Sequence, residues 1–270
     1  RSVLYINFGI HEKHYISYQI LLTTHGPALI RLFDTETINY IEQENGQAKV
    51  KKFDNTIADK IIKTMGLLPS IGKVVVCVEG ENDRNFLLNI NSSICELKKI
   101  IDLEEKEKAG IICILPMDGS KLKHWIDQYA LKNTNVLEFH LYDRDADKKY
   151  KDSIDKVNNR NDGSKGLLTQ FREIENYVSK EIIEKEFGIQ ITLQNNENWM
   201  DINLPPKILD LLGNIMQEKD IKSKICGRCS KQMTKEKFEK LGAWDEVKSW
   251  FETIKEMVDK CIENTSIVIR

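Results

Sequence analysis

Beyond residue 72 the chain repeats one pattern three times: an apolar strand, a polar turn and a helical segment. The predicted strands are Lys73–Val78, Ile111–Leu115 and Val136–Tyr142, and the first two are continuous apolar runs, typical of strands buried on both faces. Strands that alternate with helices form parallel sheets, because a crossover helix returns the chain to the starting edge. The pattern therefore predicts an α/β fold built on a parallel sheet.

The segments between and after these strands show helical periodicity. The predicted helices span about Arg84–Lys108, Lys121–Lys132, Thr169–Phe187, Lys207–Glu218 and Asp245–Ile262. Thr169 is the predicted N-cap of its helix and Gly188 the residue that ends it. The polar segment Asn158–Lys165 is predicted to be a loop, and the last third of the chain is mainly helical.

The first 66 residues form a separate group of short predicted elements. They are a strand near Tyr18–Thr24, a helix from Pro27 to Asp34, strands at Ile38–Gln43 and Ala48–Phe53, and a helix over Thr56–Met65. Asn45-Gly46 lies between the last two strands and is a strong hairpin signal. The segment Gly66–Gly72, with Pro69 inside it, is the predicted domain boundary.

The composition is that of a globular protein, with 41% hydrophobic and 30% charged residues among 270. Forty basic and 42 acidic side chains leave a net charge of −2, so a nucleic-acid partner would have to bind locally. No apolar run reaches the length of a membrane span, and no targeting segment is recognised. Six cysteines, mostly in apolar segments, indicate reduced thiols in a cytoplasmic protein.

Acidic residues follow two of the predicted strands directly. Val74–Val78 continues into Glu79-Gly80-Glu81-Asn82-Asp83, and Val136–Tyr142 continues into Asp143-Arg144-Asp145. Parallel strands end at a common edge, where ligands bind, so we expect these two clusters to face each other. We also expect Gly80 to allow a tight turn, and Asp143 and Asp145 to point the same way in extended chain.

A third acidic cluster lies in the predicted helix Thr169–Phe187. At helical spacing Glu175 falls within the buried arc of Phe171 and Ile174, whereas Glu173 lies on the opposite side and is expected to be solvated. A buried carboxylate needs a cation, either a metal or a nearby arginine.

Each acidic cluster alone is also common at the surface of α/β proteins, where it binds nothing. Together, converging carboxylates would repel one another unless hard divalent cations such as Mg²⁺ or Mn²⁺ bound them. The sequence therefore predicts a metal site formed by Glu79, Asp83, Asp143, Asp145, Glu173 and Glu175.

These motifs together resemble a known family. Val78–Asp83 and Tyr142–Asp145 are similar to the two acidic motifs of a Toprim domain, the fold shared by topoisomerases, primases and certain nucleases. A narrower resemblance, to the Toprim nucleases of the OLD (overcoming lysogenization defect) family, rests on Asp143–Asp147, Asn158–Arg160 and Thr169–Tyr177. The resemblance covers roughly residues 18–190.

The resemblance implies a Toprim (Rossmann-like) parallel sheet flanked by helices and followed by a helical C-terminal region. In the family an ABC-type ATPase precedes the Toprim domain, and Leu21–Ile30 resembles the end of that ATPase, with His25 as its switch histidine and Gly26 where serine is usual. Three parts are thus implied, namely an ATPase remnant (1–66), a Toprim catalytic domain (73–190) and a helical extension (191–270).

The chain departs from the family on the ATPase side. It has no phosphate-loop motif, and no apolar strand ending in Asp-Glu precedes Thr23. We therefore expect ATP to bind only through an upstream ATPase portion not present in this chain, which is also the portion expected to form a homo-oligomer. Without that portion, the favoured interpretation of His25 is a strand-end histidine satisfied by hydrogen bonds.

The activity that the resemblance implies is metal-dependent cleavage of DNA by an endonuclease or nickase. The resemblance also implies a role in anti-phage defence, and one form of that expectation is a complex with a partner protein. Glu79, Asp143 and Asp145 would be catalytic and hold one ion, while Asp83, Glu173 and Glu175 would complete that site or hold a second ion. Glu79 is alternatively a general acid or base. Two alternatives stay open: a non-catalytic module that binds nucleic acid or a protein, and an RNA-processing nuclease.

The family also uses a late lysine near the scissile phosphate. Residues 219–240 carry eight basic and three acidic side chains, so this segment is either a phosphate-binding patch or a solvated helix face. No motif identifies the lysine, and Lys222 is chosen over Lys224 and Lys231 only as a guess. Cys226 and Cys229 have zinc-knuckle spacing without a second ligand pair. Tyr177 is a poor candidate for a topoisomerase-like nucleophile because it lies beside the core stripe.

Overall fold

A computed structural model of the chain describes residues 3–11, 17–24, 38–44, 47–52, 73–117, 119–127, 129, 131, 136–146 and 149–267. The chain divides into two compact units. One contains Arg1–Ile71 and Asp127–Val136, and the other contains Gly72–Ile126 and Leu137–Arg270. The described part of each unit has a four-stranded sheet.

The first unit contains an antiparallel sheet in the order β2-β1-β3-β4. Its strands are β1 (Val3–His11), β2 (Ser17–Thr24), β3 (Ile38–Glu44) and β4 (Gln47–Lys52). β3 and β4 pair with Glu44 opposite Gln47, which confirms the predicted hairpin. The two helices predicted for this region, the predicted linker and His25 lie outside the described residues.

The second unit is built on a parallel sheet in the order β6-β5-β7-β8. Its strands are β5 (Val74–Val78), β6 (Ile112–Pro116), β7 (Leu137–Tyr142) and β8 (Lys165–Leu168). All three strand pairs are parallel, and every residue of β5 is buried, which confirms the predicted α/β fold. β5 is buried on both faces because helices cover the sheet on both sides, as its unbroken run of valines and cysteine indicates.

The strand order creates a topological switch point between β5 and β7. From β5 the chain first pairs β6 on one side and later pairs β7 on the other. In open parallel sheets, the connections on either side of such a point leave a crevice at the carboxyl ends of the strands. Glu79 directly follows β5 and Asp143 directly follows β7, so the topology alone puts both residues at this crevice.

The edge strand β8 was not predicted. It has only four residues, begins at exposed Lys165 and contains Gly166, so it lacks the apolar run that marks β5. The side chain of Asn158 donates to the carbonyl of Gly166 (3.0 Å) and accepts from its N–H (2.8 Å), so the exposed edge of this strand is capped. The predicted loop Asn158–Lys165 therefore ends in a strand.

Helices flank the sheet and make up most of the C-terminal region. They are α1 (Glu81–Ser93), α2 (Cys95–Ile100), α3 (Leu103–Lys108), α4 (Gly119–Asp127), α5 (Lys151–Asn158), α6 (Lys180–Phe187), α7 (Leu204–Leu211), α8 (Glu218–Lys224), α9 (Lys235–Lys240) and α10 (Trp244–Ile267). A π-helical turn, Ile225–Cys229, continues α8. No described helix has both the length and the apolar character needed to cross a membrane.

The single helix predicted over Arg84–Lys108 is in fact three helices. Buried Asn91 stabilises the second break, because its side chain donates to the carbonyl of Ile101 and accepts from the N–H of Leu103 (both 2.9 Å). Asp102 then caps α3 by accepting a hydrogen bond from Glu105. Side-chain hydrogen bonds that compete with the helical ladder are not visible in hydrophobic periodicity.

The C-terminal helices share one hydrophobic core with the sheet. Val76 and Phe139 from the strands belong to the same buried cluster as Ile225 and Trp250 from the C-terminal region. Burial of this apolar surface is the main term that stabilises the unit. The helical region is thus packed onto the sheet and does not form a separate layer of its own.

The helix predicted over Thr169–Phe187 is wrong in its first half. Residues 169–173 are irregular, Ile174–Tyr177 is a single 3₁₀ turn and α6 begins only at Lys180. Gly188 ends the helix as predicted, with a left-handed backbone (φ 64°). Thr169 does not cap a helix. Its hydroxyl accepts from the N–H of Arg144 (2.9 Å) and donates to the carbonyl of Phe171 (2.7 Å).

Tyr177 fixes this irregular segment against α10. Its ring stacks on Phe171 (centroids 4.4 Å apart) and packs edge-on against Trp250. Its hydroxyl accepts from the N–H of Phe171 (3.1 Å) and donates to the Glu246 carboxylate (2.6 Å). Burial, together with the charge of Glu246, raises the pKa of Tyr177 far above its usual range. A neutral, fully bonded phenol is a structural group, so the structure gives no support to a nucleophilic Tyr177.

Asn176 anchors the same segment and provides a test of it. Its buried amide donates to the carbonyls of Trp199 (2.7 Å) and Ile202 (3.1 Å) and accepts from the N–H of Glu173 (3.3 Å). Asn176→Ala leaves all three groups without this partner, so we expect the free energy of unfolding in urea to fall by about 2–4 kcal/mol. Asn196→Ala, at an exposed position, should change it by less than about 0.5 kcal/mol. Equal losses in the two variants would contradict this role.

Candidate functional site

The six predicted ligands come together at the carboxyl edge of the parallel sheet. We call them the acidic cluster: Glu79, Asp83, Asp143, Asp145, Glu173 and Glu175. Asp83, Glu175 and Glu79 all act electrostatically on Asp143. Lys149 contacts both Glu79 and Asp145, and Lys222 contacts both Glu173 and Glu175. Contacts and charge interactions therefore link all six residues.

Glu79 and Asp83 come from the turn between β5 and α1. Asp83 occupies the first turn of α1 and accepts a hydrogen bond from the N–H of Gly80 (2.6 Å), which closes the turn. The expectation that Gly80 is needed for a tight turn is wrong. Its backbone is extended (φ −151°, ψ −178°), a conformation open to any residue, and a Cβ there would lie an ordinary 3.7 Å from the Asp83 carboxylate.

Asp143 and Asp145 come from the end of β7, but not in extended chain as expected. Asp145 has a left-handed backbone (φ 51°), which is uncommon for a residue other than glycine, although aspartate adopts it more readily than most. Its N–H donates to the carbonyl of Arg172 (3.0 Å), so the β7 loop is tied to the segment that carries Glu173 and Glu175. This bond brings the second and third acidic motifs together.

Glu173 and Glu175 flank the start of the 3₁₀ turn and both are buried, at 7% and 1% exposure. The prediction that Glu173 is solvated is therefore wrong, because it assumed a helix that does not form. The Lys222 ammonium from α8 lies 3.1 Å from Glu173 Oε2 and 3.7 Å from Glu175 Oε1. The cation expected beside Glu175 is thus a lysine from a different part of the chain, and the late lysine chosen as a guess is the one at the site.

The other lysines considered for that role lie elsewhere. Lys224 Nζ lies 4.0 Å from the sulfur of Met216 and 5.6 Å from the centre of the Phe187 ring, and Lys231 is exposed. Cys226 Sγ lies 3.9 Å from Glu175 Oε1, and Cys229 is buried next to it on the π-helical turn. Burial and the nearby Glu175 raise the pKa of Cys226, so its thiol is neutral and a poor zinc ligand.

Three carboxylates of the cluster, Asp83, Asp143 and Glu175, resist ionisation. Burial and then the charges of Asp83, Glu175 and Glu79 raise the pKa of Asp143 well above its usual range. Burial raises the pKa of Asp83 to about 6, with a further contribution from Glu79, and the pKa of Glu175 to about 7 against the opposing effect of Lys222. Negative charge is therefore crowded here beyond what the neighbouring lysines balance.

The donor set fits a hard divalent cation. It consists of carboxylate oxygens, the ligands that Mg²⁺ and Mn²⁺ prefer. Glu175 Oε2 is buried and has no hydrogen-bond partner in the described part of the chain, and such an atom is normally satisfied. Among described residues, no three members of the cluster each place a carboxylate oxygen within 4.8 Å of the other two. An ion shared by three of these residues would therefore draw their carboxylates closer.

The described residues contain one group of three potential ligand atoms within 4.8 Å of one another, and none of its members belongs to the acidic cluster. It consists of Cys77 on β5 with Glu138 and His140 on β7, all buried inside the sheet. Sequence analysis did not single these residues out, although Glu138 and His140 alternate with apolar residues on β7, a signal of one polar face.

This group is already neutralised and hydrogen-bonded by protein. Glu138 accepts from His140 Nε2 (2.7 Å) and Trp125 Nε1 (3.1 Å), and the Arg160 guanidinium lies 3.0 Å from its other oxygen. Although burial acts to raise it, these partners hold the pKa of Glu138 below its usual value. Since Arg160 already balances the charge, a divalent cation would have to displace it, and we interpret the group as a structural polar network.

Two further residues at the acidic cluster were missed from the sequence. Tyr150 donates to Glu79 Oε1 (2.8 Å), and the Lys149 ammonium lies 3.2 Å from the same oxygen and 2.9 Å from Asp145 Oδ2. The only available signal was the position of Lys149, four residues after Asp145. Asp147, the last residue of the Asp143–Asp147 motif, lies outside the described part of the chain.

Comparison of the chain with protein families, with curated proteins and with solved structures gave no match. The functional interpretation therefore rests on the geometry and charge of the acidic cluster and on the motif resemblance. Of these, the geometry brings in one feature that the motifs lack, the pairing of the carboxylates with two lysines.

The raised pKa values predict how stability depends on pH in the absence of metal. A native carboxyl with a raised pKa holds its proton when the unfolded chain has lost it, so stability falls as pH rises from about 4 through about 7. Asp143→Asn removes one such group. We expect the variant to gain at least about 1 kcal/mol over wild type at pH 8 and little at pH 4, measured by urea unfolding in EDTA.

Asp210→Asn is the matched control for this measurement, because Asp210 is exposed on α7. It should shift the free energy of unfolding by less than about 0.5 kcal/mol at either pH. If the free energies of unfolding of Asp143→Asn and wild type differed by the same amount at both pH values, folding would not raise the pKa of Asp143, and the prediction would be wrong.

Proposed function

We propose that this chain is the catalytic part of a divalent-metal-dependent DNA nuclease of the OLD-family Toprim type. The convergence of six carboxylates from three separate segments, at the switch point of a parallel sheet, carries the proposal. Such a crevice is where ligands bind in open α/β sheets. The acidic motifs and their order along the chain supply the link to Toprim nucleases.

The cluster has the properties of a cation site for phosphodiester hydrolysis. A bound Mg²⁺ or Mn²⁺ ion would lower the pKa of an attacking water and neutralise charge on the leaving oxygen. Glu79, Asp143 and Asp145 are the proposed ligands of one ion, and Asp83, Glu173 and Glu175 complete that site or hold a second. The raised pKa values of Asp83, Asp143 and Glu175 support this, because a cation would remove the cost of ionising them.

Lys222 is the proposed lysine for the scissile phosphate. Although burial acts against its charge, Glu175 and Glu173 raise the pKa of Lys222 above its usual value, so the ammonium stays charged at neutral pH. A positive charge held in a largely buried site stabilises developing negative charge better than one in water. Its side chain keeps 29% exposure, which leaves it accessible from the crevice.

Several parts of the proposal rest on the motif resemblance alone. Coupling to ATP, assembly as a homo-oligomer and a role in anti-phage defence concern an ATPase portion that the resemblance of Leu21–Ile30 implies. The choice of DNA over RNA also rests on the family. These statements stay predictions and have no support from the site geometry.

A plasmid assay tests the proposal most directly. Supercoiled DNA incubated with the protein and Mn²⁺ or Mg²⁺ should be nicked or linearised, and EDTA should stop the reaction. Glu79→Gln and Asp143→Asn should each lower the rate at least about 100-fold, because each removes a proposed metal ligand. Glu181→Gln, an exposed position on α6, should keep the wild-type rate. A parallel single-stranded RNA substrate tests the RNA alternative.

Two results would argue against a DNA nuclease. Cleavage by Glu79→Gln at the wild-type rate would assign the activity to a contaminant or another site. Binding of DNA by wild type without cleavage under any divalent metal would favour the non-catalytic module, whose carboxylates Lys149 and Lys222 balance permanently.

A second prediction separates the candidate lysines. Lys222→Met should slow cleavage by about 100-fold or more, because it removes a charge at the site, whereas Lys231→Met should leave the rate within about twofold. Both rates are to be measured at saturating Mn²⁺, with circular dichroism as a check on folding. If Lys231→Met gave the larger loss, the basic segment 219–240 and not Lys222 would contact the phosphate.

A further inference from the structure

The acidic cluster contains two lysines, each of which contacts two of its carboxylates. Lys222 bridges Glu173 and Glu175, and Lys149 bridges Glu79 and Asp145. Each ammonium lies between two carboxylates from different positions of the chain. The positions of these ammonium groups are therefore the points where the cluster already holds a cation.

The two lysines differ in their position in the chain and in the exposed fraction of their side chains. Lys222 comes from a helix, and its side chain is 29% exposed. Lys149 lies outside a helix, just before α5, and its side chain is 44% exposed. Its ammonium also lies 4.6 Å from the centre of the Tyr150 ring. Because this ammonium remains partly exposed to solvent, a divalent cation of twice its charge can reach the same two carboxylates and compete with it.

We propose that Lys149 is a resident counter-cation of the acidic cluster and that a divalent metal ion binds between Glu79 and Asp145 in exchange for its ammonium group. This inference rests on the proposed metal site and adds to it the protein group that leaves when one ion binds. Lys149 is a positioning residue here, since it holds the two carboxylates together before the ion arrives.

Tyr150 makes the exchange compatible with a preorganised site. Its hydroxyl donates to the same Glu79 oxygen that Lys149 contacts, at 2.8 Å. When the ammonium leaves, Glu79 therefore keeps one protein partner that fixes its orientation. Asp145 is fixed separately, by its left-handed backbone and its N–H bond to Arg172.

Exchange is also expected to change the distance between the two carboxylates. The ammonium spans Glu79 and Asp145 with contacts of 3.2 and 2.9 Å, longer than the roughly 2.1 Å at which Mg²⁺ binds oxygen. Replacing the ammonium by a smaller ion of twice the charge would contract this pair. A second observation, the buried Glu175 Oε2 without a partner, indicates that the same cluster has capacity for a further cation contact.

The test compares Lys149→Gln with Lys151→Gln in the 270-residue chain. Lys151 is exposed at the start of α5, so its substitution gives the same change in net charge close to the cluster. Mn²⁺ binding is measured by isothermal titration calorimetry at pH 7.5. We expect Lys149→Gln to bind Mn²⁺ about three- to fivefold more tightly than wild type, because a competing cation is gone, and Lys151→Gln to stay within about twofold.

A second readout does not depend on activity. In EDTA, Lys149→Gln should unfold at a lower urea midpoint than wild type, because Glu79 and Asp145 lose their counter-cation. With saturating Mn²⁺ the order should reverse or the difference should vanish. A purely structural Lys149 would lower the midpoint equally in both conditions, and that result would overturn the proposal.

The outcomes also separate this inference from the proposed function. If wild type binds Mn²⁺, Glu79→Gln abolishes binding and Lys149→Gln leaves the affinity unchanged or weaker, the exchange is wrong and the metal site stands. If neither wild type nor Lys149→Gln binds Mn²⁺, both proposals fail. Lys149→Arg keeps the charge and should bind Mn²⁺ no more tightly than wild type, so tighter binding by this variant also contradicts exchange.

Discussion

The geometry of the acidic cluster depends on the free-energy cost of bringing negative charges together where the buried strands β5 and β7 end. β5 and β7 run side by side through the core, and their first residues beyond the sheet are Glu79 and Asp143. Carboxylates that leave water lose hydration energy and repel each other, which is why the pKa of Asp143 is raised. Two lysines, Lys149 and Lys222, offset part of this cost. Further positive charge at this edge of the sheet would offset more of it.

The scaffold around the cluster keeps the carboxylates from moving apart. Residues 169–173 follow an irregular path into the 3₁₀ turn Ile174–Tyr177, and tertiary contacts from three directions hold this segment. Asn176 ties it to the 199–202 loop, Tyr177 ties it to α10, and the Arg172 carbonyl accepts from Asp145. Rigid supporting contacts of this kind are what a functional site needs to stay preorganised.

Glu138 on β7 is a buried acid whose charge is balanced by neighbouring protein groups. Glu138 lies beside Arg160 and His140, and its polar partners hold its pKa low. The contrast between Glu138 and Asp143 is informative because both are buried acids on or next to β7. Glu138 is ion-paired with Arg160 and hydrogen-bonded through Oε2, although its buried Oε1 makes no hydrogen bond among the described residues. Asp143 has no ion pair in the described part of the chain and its pKa is raised, a property that is more frequent at functional sites.

The sequence by itself determined the parallel α/β sheet, the strands β5 to β7 and the acidic residues at their ends, because these depend on local apolar runs and on the common direction of parallel strands. It also marked Glu175 as buried, though from a helix that does not form. Only the tertiary structure decided the short edge strand β8, the irregular path of residues 169–173 and the burial of Glu173. It alone paired Lys222 with Glu173 and Glu175 and Lys149 with Glu79, because those contacts join residues 47 to 70 positions apart, and hydrophobic periodicity carries no information at that distance.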